Sequence, residues 1–328
     1  MAYHSIQGTA HGRLDLLNRI RDFLVTTVGW SLHDDQSADA QPYYVFKSVG
    51  ESGAEDIYLR YRVVTTSGRL DVSAFQYWNA ATHSGVNEGY ANGQTYVRVE
   101  DSADFIYWLF ADRDHLFVVT KFLSTYYANY SGLLKRFWSG AVALPQGAVA
   151  SGSNQTIQVN DASIFTPNEF YVIKDDAGIE RIRIIAVDTT TTPNTVTIEN
   201  LIRAYASGAK IGEDPQPVVA GVYNSPGYFY AVNKFDGWSS VSGQQGRFGA
   251  ANGGLQGETD PEMRYGTTLL FPWIASMSAV ACQELRGELI EVFNTGGGNV
   301  ASEDTIEIGT DVYRIFNLYS GGWCAVKE

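Results

Sequence analysis

The side chains able to perform acid–base or metal chemistry are sparse in this sequence. It contains five histidines, His4, His11, His33, His83 and His115. None of them has the partner histidines or cysteines at the spacing that zinc proteases or nucleobase deaminases use. The histidines therefore define no catalytic motif on their own.

Two short runs combine histidine with aspartate, at residues 33–35 (His-Asp-Asp) and 112–115 (Asp-Arg-Asp-His). Adjacent residues on one loop rarely converge on a single ion, so we expect solvated turns and no metal site. The two cysteines, Cys282 and Cys324, form neither a metal motif nor a disulfide framework, and we expect two buried thiols.

The sequence also lacks the signatures of common enzymes. No G-x-S-x-G elbow and no P-loop occurs. Paired carboxylates of a glycoside hydrolase carry no signal, because 36 acidic residues always offer some pair. We therefore expect no enzymatic activity and no cofactor.

A glycine-rich run begins at residue 243 and continues as loop-forming residues to residue 257. It lacks the lysine and the strand–helix context of a phosphate-binding loop. Loops this long are usually functional or disordered, and in assemblies such a segment often orders against a neighbour. Gln244, Arg247 and Phe248 are therefore candidate interface residues.

Composition limits the possible partners. The 328 residues are 45% hydrophobic and 18% charged, which suffices for a sizeable core, and the net charge is −13. The 23 basic residues are scattered, which argues against direct nucleic-acid binding and against docking on anionic membranes. No apolar run is long enough to span a bilayer, and residues 1–12 lack the apolar core of a signal peptide, so we expect synthesis in the cytoplasm.

Residues 13–28 form the best helix candidate. Leu17 and Phe23 belong to an apolar stripe with helical spacing, and Gly29 occupies a plausible C-cap position. Trp30 follows as an anchor. A helix packed on a sheet is the favoured interpretation, and its residues are also candidate contacts in an assembly.

From residue 41 onward the pattern is typical of β-structure. Hairpins are predicted at 57–78, at 105–122 around residues 111–114, and at 305–318, while 79–93 is predicted as a polar loop. The state of residues 126–138, helix or strand, stays open. The fold class is therefore mainly β with a few helices (α+β).

The composition shifts near 145–153 and again near 214–218, where proline and glycine mark linkers. We therefore predict a discontinuous main domain of antiparallel sheets, residues 1–150 and 217–328, with a small all-β domain inserted at 151–216. The short strands of this inserted domain are typical of a sandwich or barrel-like module.

Aromatic residues are the strongest anomaly, with 20 Tyr, 16 Phe and 7 Trp. They fill a β-rich core, form subunit contacts, or line a sugar-binding surface. If the last alternative holds, Trp78, Trp108 or Trp238 should be exposed beside a groove.

Several stretches together resemble virion proteins of tailed bacteriophages. They are residues 58–62 with 75–79, 105–116, 126–132, 159–165, and 303–309 with 313–316.

This resemblance implies a particle subunit and, less specifically, a tail or baseplate component. It transfers no active-site residues. The partners it implies are copies of the same chain and other virion proteins, and the location is the virion. The alternatives are a receptor- or glycan-binding particle protein, which would bind a host-surface glycan, and a decoration protein of the head, neck or collar. The candidate interface residues are Leu17, Phe23, Trp30, Phe165, Trp238, Gln244, Arg247 and Phe248.

Overall fold

The structure is a computed structural model of the chain. It describes residues 3–53, 55–64, 68–89, 95–101, 103–135, 142–175, 177–212, 218–222, 225–231, 241–245, 270–279, 282–295, 300–319 and 322–328. The fold is mostly β, with 62% of residues in strands and 7% helical, which confirms the predicted fold class. One correction applies: the described residues contain one helix rather than a few, and several antiparallel sheets but no closed barrel.

The chain divides into two compact units. The main unit consists of Met1–Phe137, Pro217–Asn233 and Ser239–Glu328, and is therefore discontinuous in sequence. The inserted unit is built from Trp138–Gln216, so it begins before the predicted boundary at residue 151. Its first strand explains the difference, because Val142–Ala143 already pairs with a later strand, Lys210–Gly212.

A 12-stranded sheet dominates the main unit. Its strands in chain order are β1 (His4–His11), β8 (Asp104–Ala111), β9 (His115–Phe122), β10 (Thr125–Leu133), β17 (Val218–Val222), β18 (Ser225–Ala231), β19 (Val241–Gln245), β20 (Leu270–Ala279), β21 (Cys282–Thr295), β22 (Thr305–Ile308), β23 (Asp311–Leu318) and β24 (Gly322–Lys327). The spatial order is β1-β8-β9-β10-β17-β18-β19-β20-β21-β24-β23-β22, so β1 and β22 are the edges.

A second sheet of the main unit has six strands. They are β2 (Ser31–Gln36), β3 (Tyr43–Ser48), β4 (Ile57–Val63), β5 (Arg69–Asn79), β6 (Ser84–Gly89) and β7 (Tyr96–Arg98). The first five are arranged in sequence order, and β7 also pairs with β5. The predicted hairpin at 57–78 is therefore present as β4 and β5.

The helix forms where the apolar spacing predicts it. Its α-helical part, α1, is Gly12–Asp22, and the chain continues as a π-helical segment, Phe23–Val28, before Gly29 ends it with φ of 91°. In the first turn Asp15 accepts a hydrogen bond from the backbone N–H of His11 at 3.0 Å, which caps an otherwise unsatisfied donor.

The apolar face of α1 lies in a core shared with both sheets of the main unit. Leu16, Leu17 and Ile20 are fully buried there. Side chains of β4 and β8, such as Leu59 and Leu109, belong to the same cluster. Burial of each such side chain contributes roughly 1.5–3 kcal/mol, so tertiary packing stabilises this short helix more than its own propensity does.

The inserted unit is a six-stranded antiparallel sheet with its own core. Its strands are β11 (Val142–Ala143), β12 (Gly152–Val159), β13 (Phe170–Asp175), β14 (Gly178–Asp188), β15 (Asn194–Leu201) and β16 (Lys210–Gly212), in the spatial order β11-β16-β13-β14-β15-β12. Ile182 and Ile184 alternate with arginines along β14, and their side chains lie in that core.

Three sequence expectations need correction or completion. The segment 79–93 is not wholly a loop, because β6 lies within it and pairs with β5. The segment 126–138, left open, contains β10, which pairs along its whole length with β9 or β17. The strand β1 was not predicted at all.

Candidate functional site

The predicted interface residues of the helical segment lie in the core. Leu17, Phe23 and Trp30 are all buried within the main unit. The Trp30 indole N–H donates a hydrogen bond to the backbone carbonyl of Asp112 at 2.8 Å. These side chains stabilise the fold and present no surface to a partner, so their assignment as contacts was wrong.

The remaining predicted interface residues divide into two groups. Phe165 is buried in the inserted unit, where its ring meets Tyr171 edge-on at a centroid distance of 4.9 Å, so it is a core residue and not a contact. Gln244 lies in β19, which also shows that the predicted loop 243–257 begins as a strand. Trp238, Arg247 and Phe248 lie outside the described residues.

The run 112–115 is the turn between β8 and β9, and it is only partly the solvated tip that its composition suggested: Asp112 and His115 are buried, Asp114 is half-buried and Arg113 is exposed. Asp112 accepts hydrogen bonds through Oδ1 from the backbone N–H groups of Asp114 and His115, at 2.7 and 3.0 Å. The same oxygen lies 2.9 Å from Nδ1 of His115. The His115 ring is fully buried and stacks on Tyr130 at 5.2 Å.

Long-range hydrogen bonds hold this turn in place. Ser48 donates its hydroxyl to the backbone carbonyl of Arg113 at 2.6 Å, and the backbone N–H of Glu51 donates to Oδ1 of Asp114 at 2.9 Å. Gly132 has φ of 125°, and a Cβ there would lie 2.4 Å from the backbone oxygen of Asp114. The segment after β3 therefore packs directly over the turn.

The two carboxyl groups of this turn have opposite pKa shifts. Burial disfavours ionised Asp112, but the His115 side chain and the two backbone N–H groups outweigh it, so its pKa is lowered. Burial raises the pKa of Asp114 from its ordinary 3.8 to about 6. A buried Asp–His pair can orient a catalytic base, but a fully buried His115 offers a substrate no access.

The run 33–35 also contains a structural carboxylate. Asp34 is buried in β2, where it accepts a hydrogen bond from the Trp78 indole N–H at 2.8 Å and lies 2.9 Å from Nδ1 of His83. Burial opposes its ionisation, but its hydrogen bonds prevail and its pKa is lowered. In the part of the chain that the structure describes, no group of three or more His, Cys, Asp or Glu side chains is placed to hold a metal ion.

Of the three tryptophans predicted as candidates for a sugar-binding surface, the two that the structure describes do not form one. Trp78 and Trp108 are both buried, with Trp108 packed edge-on against Phe316 at 5.2 Å. Stacking on a sugar needs an open ring face. Trp238, the third candidate, falls outside the described residues.

Among the described residues of the main unit, the most exposed large apolar side chain lies at the turn between β9 and β10. Leu123 is 98% exposed and has φ of 54°, a region that non-glycine residues rarely occupy. Phe122 and Thr125 pair across this turn, so it is a two-residue hairpin connection, where glycine or asparagine is usual. Leucine here carries both backbone strain and unfavourable exposure.

Three aromatic residues lie close to this turn in the sequence or in the sheet. Phe122 and Tyr127 have ring centroids 5.5 Å apart, and Tyr127 and Tyr319 are 5.4 Å apart. Tyr319, just after β23, is 64% exposed. We call Phe122, Leu123, Tyr127 and Tyr319 the Leu123 patch. Its apolar and aromatic make-up is that of a protein contact surface.

The second exposed feature is β1, an edge of the 12-stranded sheet. Along its eight residues it pairs with β8, and most of its side chains are exposed. Ile6 is 44% exposed. Edge strands in soluble proteins are usually shortened, charged, bulged or covered, and β1 shows none of the first three features.

Comparison with known proteins adds no family: no family model matches the chain, and no curated protein matches it. None of the described helical residues forms a stretch long and apolar enough to cross a membrane.

Neither the Leu123 patch nor the exposed edge β1 was predicted from the sequence. The sequence predicted that a strand ends at Phe122. It did not predict a tight turn at Leu123, because leucine is not a residue that favours turns. In β1, the small and polar residues around Ile6 give no clear period of two. The usable signal was the absence of Asp, Glu, Lys and Arg from residues 1–12 of an otherwise charged chain.

Proposed function

We propose that this chain is a non-enzymatic structural subunit of a tailed-phage virion, in the tail or baseplate, that acts through protein–protein contacts. The observation that carries the proposal is the Leu123 patch. A fully exposed leucine in a strained turn is disfavoured in the isolated chain, both by its φ and by its hydration. A contact that buries it explains why the residue is tolerated there.

The rest of the main unit suits a rigid scaffold. Buried tyrosine, tryptophan and phenylalanine fill both faces of the large sheet, as Trp108 and Phe110 do on one side and Tyr107 on the other. Rings packed in this way fix the strands and therefore the position of the Leu123 turn. The resemblance to virion proteins supplies the kind of particle.

The first test is mass spectrometry of purified phage particles from the host that produces this chain. We expect the chain at a stoichiometry set by a ring or fibre of the tail. A chain absent from the particle would refute the virion role. A cryo-EM map of the same particles should then show Leu123 buried in an apolar site of a neighbouring subunit.

A variant separates the contact from the fold. Leu123→Asn introduces a residue that tolerates positive φ and removes the apolar side chain. We expect unchanged or slightly raised thermal stability and reduced incorporation into particles. Ser124→Asn, at the exposed next position of the same turn, is the matched control and should incorporate normally. Normal incorporation of Leu123→Asn would show that this patch is not the contact.

A further inference from the structure

Strand β1 has the properties of a pairing edge. It forms a continuous eight-residue antiparallel ladder with β8, from His4 opposite Ala111 to His11 opposite Asp104. The ladder has no bulge, and the strand contains no proline and no lysine. An extended edge with these features is a template for a further strand from another chain.

The charge of β1 indicates what that strand is. Residues 1–12 contain no Asp, Glu, Lys or Arg, whereas the whole chain has 59 such residues, 23 basic and 36 acidic, and a net charge of −13. Two copies of an acidic protein repel each other, and a neutral strand is the part of the surface where that repulsion is smallest. At the end of the strand, the Asp104 carboxylate lies 2.8 Å from Nδ1 of His11.

The side chains of β1 are also compatible with their own two-fold copies. When two copies pair antiparallel about a two-fold axis perpendicular to the sheet, side chains on one face of the first strand lie on the same face as their partners on the second. An odd-numbered residue is then opposite an odd-numbered one, and an even-numbered residue opposite an even-numbered one. In the register centred on Gln7, the two Gln7 side chains are opposite each other, and Ser5 is opposite Thr9 of the second copy. Such polar and hydroxyl pairs are favourable across antiparallel strands.

The apolar residue of the strand finds a partner in the same register. Ile6 is opposite Gly8 of the second copy, which has no side chain of its own. The phenol of Tyr107 lies across Gly8, since a Cβ there would be 2.5 Å from the Tyr107 hydroxyl. The exposed Ile6 side chain of one copy would therefore lie over Gly8 and the edge of the already buried Tyr107 ring of the other, and Ile6 would lose contact with water.

We propose that β1 pairs antiparallel with β1 of a second copy of this chain, which joins the two 12-stranded sheets into one across a two-fold axis. The proposal goes beyond the virion role and does not depend on it, because the pairing needs no other virion protein. It is therefore tested with the purified full-length chain in solution.

Sedimentation velocity at protein concentrations of about 1–200 μM should show a concentration-dependent dimer. This concentration range is chosen because small interfaces usually give weak affinities. Gln7→Lys/Thr9→Lys places like charges on exposed positions of both paired strands. We expect it to raise the dimer dissociation constant by about tenfold or more without lowering the thermal stability of the monomer. Gln158→Lys, on the exposed face of β12 in the inserted unit, is the matched control and should leave the dimer unchanged.

Cross-linking tests the register directly. In a Cys282→Ser background, the variant Gln7→Cys should give an interchain disulfide if the axis passes at Gln7. Gln7→Cys/Thr9→Cys also reports the register centred on Gly8, where residue 7 is opposite residue 9. A wild-type chain that stays monomeric throughout the range, or a dimer insensitive to the lysines and not cross-linked by either variant, would overturn the proposal and leave the virion role standing.

Discussion

Replacement of Asp114 by asparagine should stabilise the protein at high pH. The Asp114 carboxyl accepts a hydrogen bond from the backbone N–H of Glu51 at 2.9 Å, and an asparagine oxygen can accept the same bond. What the substitution removes is the unfavourable burial of a negative charge next to Asp112. Asp114→Asn therefore isolates the electrostatic part of the site while its geometry is kept.

The magnitude follows from the pKa of Asp114. A change from 3.8 in the unfolded chain to about 6 in the fold corresponds to at most ~3 kcal/mol, at ~1.4 kcal/mol per unit. Asp114 is only half-buried, so solvent screening reduces the expected gain to about 1–2 kcal/mol.

The pH window follows from the raised direction of this shift. Below pH 3.8 the carboxyl of Asp114 is mostly protonated in both the folded and the unfolded state, so it does not lower the free energy of unfolding of the wild type. As the pH rises to about 6, the unfolded chain releases its proton first, and the stability of the wild type falls. The advantage of Asp114→Asn should therefore be near zero at pH 3.5 and complete at pH 8.

Urea unfolding followed at pH 3.5 and pH 8 measures the effect, with m-values compared to confirm that the unfolded state is unchanged. Asp112→Asn, two residues away, is the contrasting control. The pKa of Asp112 is lowered, so its charge stabilises the fold above pH 3.8, and its removal should destabilise the protein at pH 8. If Asp114→Asn destabilised the protein at pH 8 as well, the burial argument would be refuted.

Two further substitutions test the packing of the main unit. Leu17→Ala should lower the free energy of unfolding by about 2–5 kcal/mol, because it leaves a cavity in the core. A loss below about 0.5 kcal/mol in urea unfolding would show that Leu17 is not a core residue. Gly132→Ala should lower the free energy of unfolding by at least about 1 kcal/mol, because φ is 125° and the new Cβ would meet the backbone of Asp114. Ala128→Gly in the same strand is the comparison. Equal Tm values for the wild type and Gly132→Ala would contradict the geometry.

The local patterns of the sequence predict the helix and most hairpins well. The apolar stripe with Leu16 and Ile20 defines a helix, since its spacing depends only on neighbours along the chain. The alternating strands of the inserted unit are equally local. The hairpin β22–β23 was also recognised, because the turn residues after Ile308 provide a strong signal.

The site residues depend on contacts between distant parts of the chain, which local patterns do not contain. Residues 112–115 are polar, and polarity at a hairpin end suggests a solvated turn. Asp112 and His115 are nevertheless buried, and the segment that contains Ser48 and Glu51, more than 60 residues away, hydrogen-bonds to Arg113 and Asp114 of the same turn. Likewise β1 is a strand because β8 pairs with it across about 100 residues, although its own β-propensity is weak.

The Leu123 patch and the edge β1 belong to the same sheet, and the sheet relates their directions. His11 at the end of β1 is opposite Asp104, and Ile106 is opposite Lys121, so Leu123 projects from the end of the sheet at which β1 terminates. An antiparallel β1 pair reverses one copy, so the two Leu123 patches point to opposite ends of the joined sheet. The edge then links copies side by side, while each patch is left for a different neighbour. A subunit with two separate contacts can build a ring or layer, whereas a two-fold contact alone stops at a dimer.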